Sequence, residues 1–187
     1  SGALMEAYSD VFGEIAEDWG NDGLLNGNCD WIHNGSRSMI SPAQSKSACP
    51  DTYQGSAWKD AGDTDNDFGG VHTNNTVISH AVYFMSTGIG GNPAFQALST
   101  EDLAHLLYET LYPLPADCTF GMFRSLAQNM AEIMYRQGRL TYEQARCVSN
   151  AFFQVGIGAA AVPAARTLTL DVYDVDGQPY DNYTLYI

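Results

Sequence analysis

Basic residues are scarce in this chain of 187 residues, which has 8 Lys and Arg against 22 Asp and Glu and a formal net charge of -14. A surface of this sign repels the phosphates of nucleic acids and the headgroups of anionic membranes. We therefore expect neither nucleic acid nor a membrane among the partners of this protein. The acidity suits a soluble, secreted protein, although it specifies no fold.

Long apolar runs are also absent from the sequence. No stretch approaches the about 20 apolar residues that cross a bilayer as a helix. The N-terminus has no basic segment followed by an apolar one, which is the pattern of a secretory signal. We expect no transmembrane segment, and we expect any export signal to lie upstream of Ser1.

The C-x-x-C spacing of structural zinc sites and redox pairs is missing from the four cysteines, Cys29, Cys49, Cys118 and Cys147. An even number in such a chain favours two disulfides and an oxidising, extracellular compartment, with free buried thiols as the alternative. The sequence permits three pairings. We predict Cys29 with Cys49, closing a polar loop, and Cys118 with Cys147, tying the start of one helix to the middle of another.

Apolar spacing predicts a mainly α fold with a long irregular region. Residues 3–19 form an amphipathic pattern, with apolar residues on one arc and acidic residues on the other. Residues 20–70 are rich in Gly, Asn, Asp and Ser without periodicity, and so long a loop is typically functional or organised by a metal. The further predicted helices cover residues 74–87, 100–112, 119–137 and 141–154, the last opened by a capping box.

The tail differs from the rest of the chain. Residues 161–187 alternate between apolar and polar like two strands joined at Asp176 and Gly177. We therefore predict a helical domain over residues 1–160, followed by a β-hairpin tail or the start of an appended β domain.

Two stretches contain candidate catalytic groups. In S-G-A-L-M-E-A-Y-S-D-V-F-G, Glu6 and Asp10 lie one helical turn apart on one face, where a carboxylate can bind zinc and a second acid can orient a ligating histidine. From spacing alone, the solvated face of an amphipathic helix is the favoured interpretation of these acids. In D-F-G-G-V-H-T-N, His72 precedes a helix, Asp67 can hold its ring, and Gly69 and Gly70 leave room for a substrate backbone.

Arg37, in the stretch R-S-M, is a third candidate, because its planar fork of donors can bind a peptide carbonyl. The three stretches together resemble the C-terminal half of thermolysin-like zinc metalloendopeptidases over about residues 1–160. Phe68 stands where relatives often have a small polar residue. The pairing of Cys118 with Cys147 also resembles a disulfide of some relatives.

The resemblance implies a role for each candidate. Glu6 is the third zinc ligand, Asp10 supports a ligating histidine, and His72 with Asp67 stabilises the transition state. Arg37 binds the substrate carbonyl on the C-terminal (primed) side of the scissile bond. The chain contains no H-E-x-x-H, the motif that supplies two zinc-binding histidines and the general base. The resemblance therefore implies an N-terminal half with that motif as the partner, and no activity in the chain alone.

Calcium is a further expectation from the resemblance. Glu17 matches a calcium-binding position, and Asp30 followed by Trp31 resembles the start of the acidic calcium loop of the family. The other acids of that loop are absent, whereas calcium takes about six to eight oxygen ligands. A double calcium site is therefore not expected, which leaves a single weak site open.

Two functions follow from these observations. The first is the C-terminal catalytic lobe of a secreted zinc metalloendopeptidase that hydrolyses peptide or protein substrates. The alternative is a noncatalytic acidic helical module, derived from such a lobe, with a binding or structural role. We prefer the enzyme, because Glu6, His72 and Arg37 occur together in their separate motifs.

Overall fold

The computed structural model describes residues 1–33 and 35–160, and five α-helices form the fold of this part of the chain. The prediction of a mainly α protein is confirmed. The helices are α1 (Gly2–Asp22), α2 (Asp67–Thr87), α3 (Thr100–Leu111), α4 (Phe120–Arg136) and α5 (Tyr142–Gln154). Residues 161–187, for which we predict a β-hairpin, lie outside the described residues.

The long irregular region predicted between the first two helices contains little regular structure. It includes the antiparallel strands β1 (Ile32–His33) and β2 (Arg37–Ser38) and a 3₁₀ helix (Pro42–Gln44). The register of the strands sets His33 opposite Arg37, which brings these two side chains to the same part of the molecule. None of the helices that the structure describes is long and apolar enough to cross a membrane.

α1 and α2 pack against each other, and the core forms around this pair. The buried face of α1 consists of Leu4, Ala7, Tyr8, Val11 and Ile15, at the spacing that the amphipathic pattern predicts. Removal of these side chains from water stabilises the fold, because each large apolar side chain contributes about 1.5–3 kcal/mol when fully buried. The acidic arc of α1 is thereby turned toward the loop and the start of α2.

Local sequence signals set several helix ends. Ser99, Thr119 and Thr141 each accept a hydrogen bond from a backbone N–H in the first turn of α3, α4 and α5. Thr141 and Gln144 form the predicted capping box. Gly88, which follows the last residue of α2, has a φ of 74° that favours glycine, and the predicted helix end is confirmed.

α2 begins with a left-handed turn before its regular part starts at Val71. The φ angles of the turn are 57° at Asp67, 52° at Phe68, 80° at Gly69 and 78° at Gly70. A left-handed conformation is costly for a bulky residue such as Phe68 and free of steric cost for glycine. The regular helix thus starts earlier than residue 74, where apolar spacing predicts it, and includes His72 in its first turn.

The two glycines of this turn make room for the chain's own loop. A Cβ at Gly69 would lie 2.6 Å from the carbonyl oxygen of Ala61, and a Cβ at Gly70 would lie 2.5 Å from Cβ of Lys59. Both glycines are buried. The expectation that their missing side chains admit a substrate backbone is therefore wrong, because residues 59–61 already occupy that space.

All four cysteines are free in the structure, which differs from the predicted disulfides Cys29–Cys49 and Cys118–Cys147. Three sulfur atoms contact separate backbone carbonyls, at 3.5 Å for Cys29 and Glu14, 3.4 Å for Cys118 and Thr119, and 3.6 Å for Cys147 and Phe84. Burial raises the pKa of every one of these thiols, to about 11 for Cys29 and about 12 for Cys147. The alternative of free thiols describes this structure, with Cys49, Cys118 and Cys147 buried and Cys29 half-buried.

Candidate active site

Glu6, His72 and Asp67 meet where α1 contacts the start of α2. The Nε2 atom of His72 lies 3.6 Å from Oε2 of Glu6, and its Nδ1 atom lies 2.7 Å from Oδ1 of Asp67. The side chains of His72 and Glu6 are 46% and 36% exposed, so both are open to a ligand. The structure thus brings three of the predicted site residues into one row, which we call the Asp67–His72–Glu6 row.

Asp67 is held by the helix that it precedes. Its Oδ2 accepts hydrogen bonds from the backbone N–H of His72 at 3.0 Å and from the hydroxyl of Thr73 at 2.9 Å. Burial raises the pKa of the Asp67 carboxyl, but the hydrogen bonds from His72 and Thr73 and the charge of His72 outweigh it, so the pKa lies below its ordinary value. An ionised carboxylate can only accept, so Nδ1 of His72 carries a proton and Nε2 faces Glu6.

Arg37, on β2, pairs with Asp10, which lies one helical turn after Glu6 on α1. Its Nε and Nη2 atoms donate to Oδ2 and Oδ1 of Asp10 at 3.0 and 2.8 Å. Asp10 is buried, and its carboxylate also accepts from Nδ2 of Asn75 at 2.8 Å and lies 3.5 Å from Nδ1 of His33. Two of the five N–H donors of Arg37 are used in this pair, which fixes the direction of its guanidinium group.

Sequence reasoning identified neither His33 nor Asn75 as neighbours of Asp10. Asn75 follows His72 by about one turn of α2, and His33 is the register partner of Arg37. The pairing of strands as short as β1 and β2 has no signal in the sequence, because it depends on how the long loop folds over α1. The sequence shows that Asn75 follows His72 by one turn, but it does not show which side of α2 faces Asp10.

A second acidic group lies further along α1. Carboxylate oxygens of Glu14, Glu17 and Asp30 all lie within 4.8 Å of one another, so the two residues predicted for calcium are brought together. Glu14 was missed, although it precedes Glu17 by one turn. It is buried and accepts the backbone N–H of Trp31 at 2.7 Å. The pKa of Glu14 is raised to about 7, chiefly by burial and further by the charges of Asp30 and Glu17, against the opposing hydrogen bond from Trp31.

Comparison with known proteins defines the class of this helical domain. The family model described as "Thermolysin metallopeptidase, alpha-helical domain" matches residues 1–157. The chain therefore belongs to the thermolysin metallopeptidase family, and its described helices are the α-helical domain of that family. The resemblance found in the sequence is confirmed.

Particular relatives are similar over most of the chain. The thermostable neutral protease NprT of Geobacillus stearothermophilus and thermolysin of Alicyclobacillus acidocaldarius are each 30% identical over 170 residues, which cover 84% of this chain and 28% of each relative. A zinc metalloproteinase of Renibacterium salmoninarum is 30% identical over 175 residues, covering 84% of the chain and 30% of that relative. The chain spans less than a third of the length of these relatives.

Proposed function

We propose that this chain is the C-terminal catalytic lobe of a secreted zinc metalloendopeptidase. The observation that carries the proposal is the Asp67–His72–Glu6 row, in which a histidine of fixed tautomer faces an exposed carboxylate at 3.6 Å. The similar proteins are a neutral protease, a thermolysin and a zinc metalloproteinase, which supports hydrolysis of peptide bonds as the reaction.

Glu6 is the residue of this chain that we assign to zinc. Its carboxylate is partly exposed and faces the His72 ring instead of the core, which suits one oxygen ligand of a catalytic metal. Such a metal takes three protein ligands. The other two, with the general base, are assigned to an H-E-x-x-H motif in an N-terminal half. Zinc, when bound, supplies Lewis acidity and lowers the pKa of a bound water.

His72 and Asp67 are assigned to stabilise the transition state. Nε2 of His72 donates a hydrogen bond to the oxygen on which negative charge develops as the peptide carbonyl is attacked. The carboxylate of Asp67 accepts from Nδ1 and holds the ring in place, and the form of the ring that donates from Nε2 carries a proton on both nitrogens. The existing 2.7 Å contact means that this orientation needs no rearrangement when the substrate binds.

Arg37 and Asp10 are assigned to position the substrate and a ligating histidine. Arg37 donates to the peptide carbonyl on the primed side with N–H groups other than the two that bind Asp10. Asp10 accepts a hydrogen bond from one histidine of the absent motif and so orients its ring. The bidentate pair holds both groups in place, because neither side chain can turn without breaking two hydrogen bonds.

The proposal predicts that the chain alone neither retains zinc nor cleaves peptides, and that addition of the N-terminal half restores both. One carboxylate does not satisfy a catalytic zinc, and the general base is missing. The measurement is casein hydrolysis with added zinc, compared between the chain alone, the mixture, and a mixture in which the glutamate of H-E-x-x-H is replaced by glutamine.

Chelator-sensitive turnover by the purified chain alone would contradict the prediction that the chain needs the N-terminal half for activity. Zinc-loaded but inactive mixtures would favour the noncatalytic module instead. Turnover in the mixture that disappears in the glutamine variant supports the catalytic lobe.

We also propose a single weak calcium site at Glu14, Glu17 and Asp30. The three carboxylates supply part of the six to eight oxygens that calcium takes, and their mutual repulsion is relieved by a divalent cation. Burial of Glu14 raises the pKa of its carboxyl and so disfavours the negative charge there, and a bound cation would offset this cost.

Replacing Glu14 by glutamine is expected to stabilise the metal-free chain at pH 8. The pKa of Glu14 rises from 4.5 to about 7 on folding, so between these values the folded state binds a proton that the unfolded state has released, and stability falls as pH rises through this window. The variant should therefore exceed wild type by on the order of 2–3 kcal/mol at pH 8 and match it near pH 5. Thermal or urea unfolding at both pH values is the measurement.

Calcium supplies the control for this variant. Millimolar calcium at pH 8 should raise the melting temperature of wild type more than that of Glu14→Gln, and magnesium should do so less. An equal pH dependence in both proteins, or a calcium effect unchanged by the substitution, would contradict the assignment.

A further inference from the structure

The carboxylate of Asp10 is almost saturated with hydrogen bonds. Each oxygen of a carboxylate has about two lone pairs that can accept one. Oδ2 accepts from Nε of Arg37 at 3.0 Å and from Nδ2 of Asn75 at 2.8 Å, and Oδ1 accepts from Nη2 of Arg37 at 2.8 Å. One lone pair of Oδ1 therefore remains, and Nδ1 of His33 lies 3.5 Å from this oxygen.

The three partners of Asp10 differ in how firmly they hold it. Arg37 binds with two charge-assisted hydrogen bonds, and Asn75 is buried on α2. The contact of His33 is the longest of the set, and its side chain is 29% exposed, against 18% for Arg37. A group that approaches Asp10 from outside the core therefore displaces His33 at a smaller cost than it displaces either of the other two.

The hairpin of β1 and β2 is closed at His33 by a backbone contact. His33 is the last residue of β1, and its carbonyl oxygen accepts a hydrogen bond from the backbone N–H of Ser36 at 3.1 Å. Rotation about χ1 moves the imidazole ring between staggered positions and leaves this bond in place. The ring can therefore leave Asp10 while the hairpin, and with it the position of Arg37, is kept.

The proposed function adds one more donor to Asp10. In it, a zinc-binding histidine of the H-E-x-x-H motif donates a hydrogen bond to this carboxylate, which orients the ring of that histidine. While Arg37 and Asn75 keep their present hydrogen bonds, only the last lone pair of Oδ1 can accept from it. His33 and the zinc-binding histidine therefore cannot both donate to Asp10.

We propose that His33 is a positioning residue that competes with the zinc-binding histidine for Asp10 and so weakens zinc binding. The inference rests on the proposed function, and it gives His33 no contact with zinc or with the substrate. Binding equilibria are reciprocal, so the factor by which His33 lowers the affinity for zinc is also the factor by which bound zinc disfavours the contact between His33 and Asp10.

This competition has the opposite sign from the effect of an ordinary supporting residue. Loss of a group that supports a metal ligand typically weakens metal binding about tenfold to a hundredfold. Loss of His33 should instead tighten zinc binding about threefold to tenfold, because one hydrogen bond no longer has to be broken before the zinc-binding histidine can donate to Asp10. A residue with a merely structural role would not produce this gain.

The decisive variants replace His33 within the complete enzyme. His33→Leu removes the donor and keeps a side chain of similar size, whereas His33→Asn keeps a donor, because its amide nitrogen takes the place of Nδ1. The zinc affinity of each dialysed protein is measured by competition with a chromogenic chelator. We expect His33→Leu to bind zinc about threefold to tenfold more tightly than wild type, and His33→Asn to lie within about twofold of wild type.

His105→Leu is the matched control, because His105 is also a half-buried histidine and lies on α3. It should leave the affinity for zinc unchanged. Equal or weaker zinc binding by His33→Leu would overturn the proposal, since His33 would then support the site or play no part in it. The same gain in His33→Asn and His33→Leu would also overturn it, because the gain would not depend on the donor.

Glu6→Ala, measured in the same series, separates failure of this inference from failure of the proposed function. Loss of zinc in Glu6→Ala without a gain in His33→Leu would show that the zinc site is correct and the competition is wrong. Zinc retained by Glu6→Ala as tightly as by wild type would show that the proposed site itself is wrong, and the competition with it. Loss in Glu6→Ala together with a gain in His33→Leu supports both.

Discussion

Replacement of His72 by alanine in the complete enzyme is expected to lower kcat about a hundredfold to a thousandfold while zinc content stays unchanged. The ring donates to the developing oxyanion in the proposed mechanism and does not bind the metal. Replacement of Glu6 by alanine should instead release zinc, because it removes one of three protein ligands. The measurements are steady-state kinetics and the zinc content of each dialysed variant.

The division of roles between these neighbouring side chains can be tested further. Asp67→Asn should lower kcat less than His72→Ala, since the ring remains but a neutral amide replaces the carboxylate that holds it through Nδ1. His105→Ala, on α3, is the control and should leave kcat unchanged. Equal loss of zinc in His72→Ala and Glu6→Ala would contradict the assignment, since the two residues would then share one function.

Replacement of Asp10 by alanine is expected to destabilise the fold by about 3–5 kcal/mol. The substitution leaves the guanidinium of Arg37, whose side chain is only 18% exposed, without the carboxylate that accepts two of its hydrogen bonds. It also leaves the amide of Asn75 without its acceptor. Thermal unfolding should show a fall in melting temperature on the order of 10 °C for a chain of this size.

Glu132→Ala provides the comparison for Asp10. Glu132 also pairs with an arginine, Arg136, at 2.8 Å, but the two side chains are 49% and 75% exposed. Exposed pairs of this kind contribute about 0–1 kcal/mol. A small and equal effect of both substitutions would show that burial does not strengthen the Asp10 pair, and would weaken its assignment as the anchor of Arg37.

The helices could be predicted because their signals are local. Apolar spacing of about 3.6 residues defines the buried face of α1, and it is read without knowledge of what packs there. Thr141 and Gln144 cap α5 through contacts within one turn. Gly88 ends α2 for a steric reason confined to its own backbone. Such features depend on neighbours in the sequence and therefore survive in any fold that contains the segment.

The cysteines and the glycines show where sequence reasoning failed. An even number of cysteines is compatible with disulfides, but the contacts of each thiol depend on where the tertiary structure places the loop after α1, the segment before α4, and α5. In this structure Cys29 contacts Glu14 and Cys147 contacts Phe84. The glycines at positions 69 and 70 indicate that another group lies close to the backbone there. Only the path of residues 59–61 determines that this neighbour is the chain itself.

The sequence by itself determined the helical architecture, the family, and the candidates Glu6, His72, Asp67 and Arg37, because these follow from local spacing and short motifs. Only the tertiary structure decided which groups share an environment. It paired Arg37 with Asp10, added Glu14 to the acidic group, and set His72 beside Glu6. These contacts join segments far apart in the chain, and their geometry is set by the packing of α1 against α2 and the loop between them.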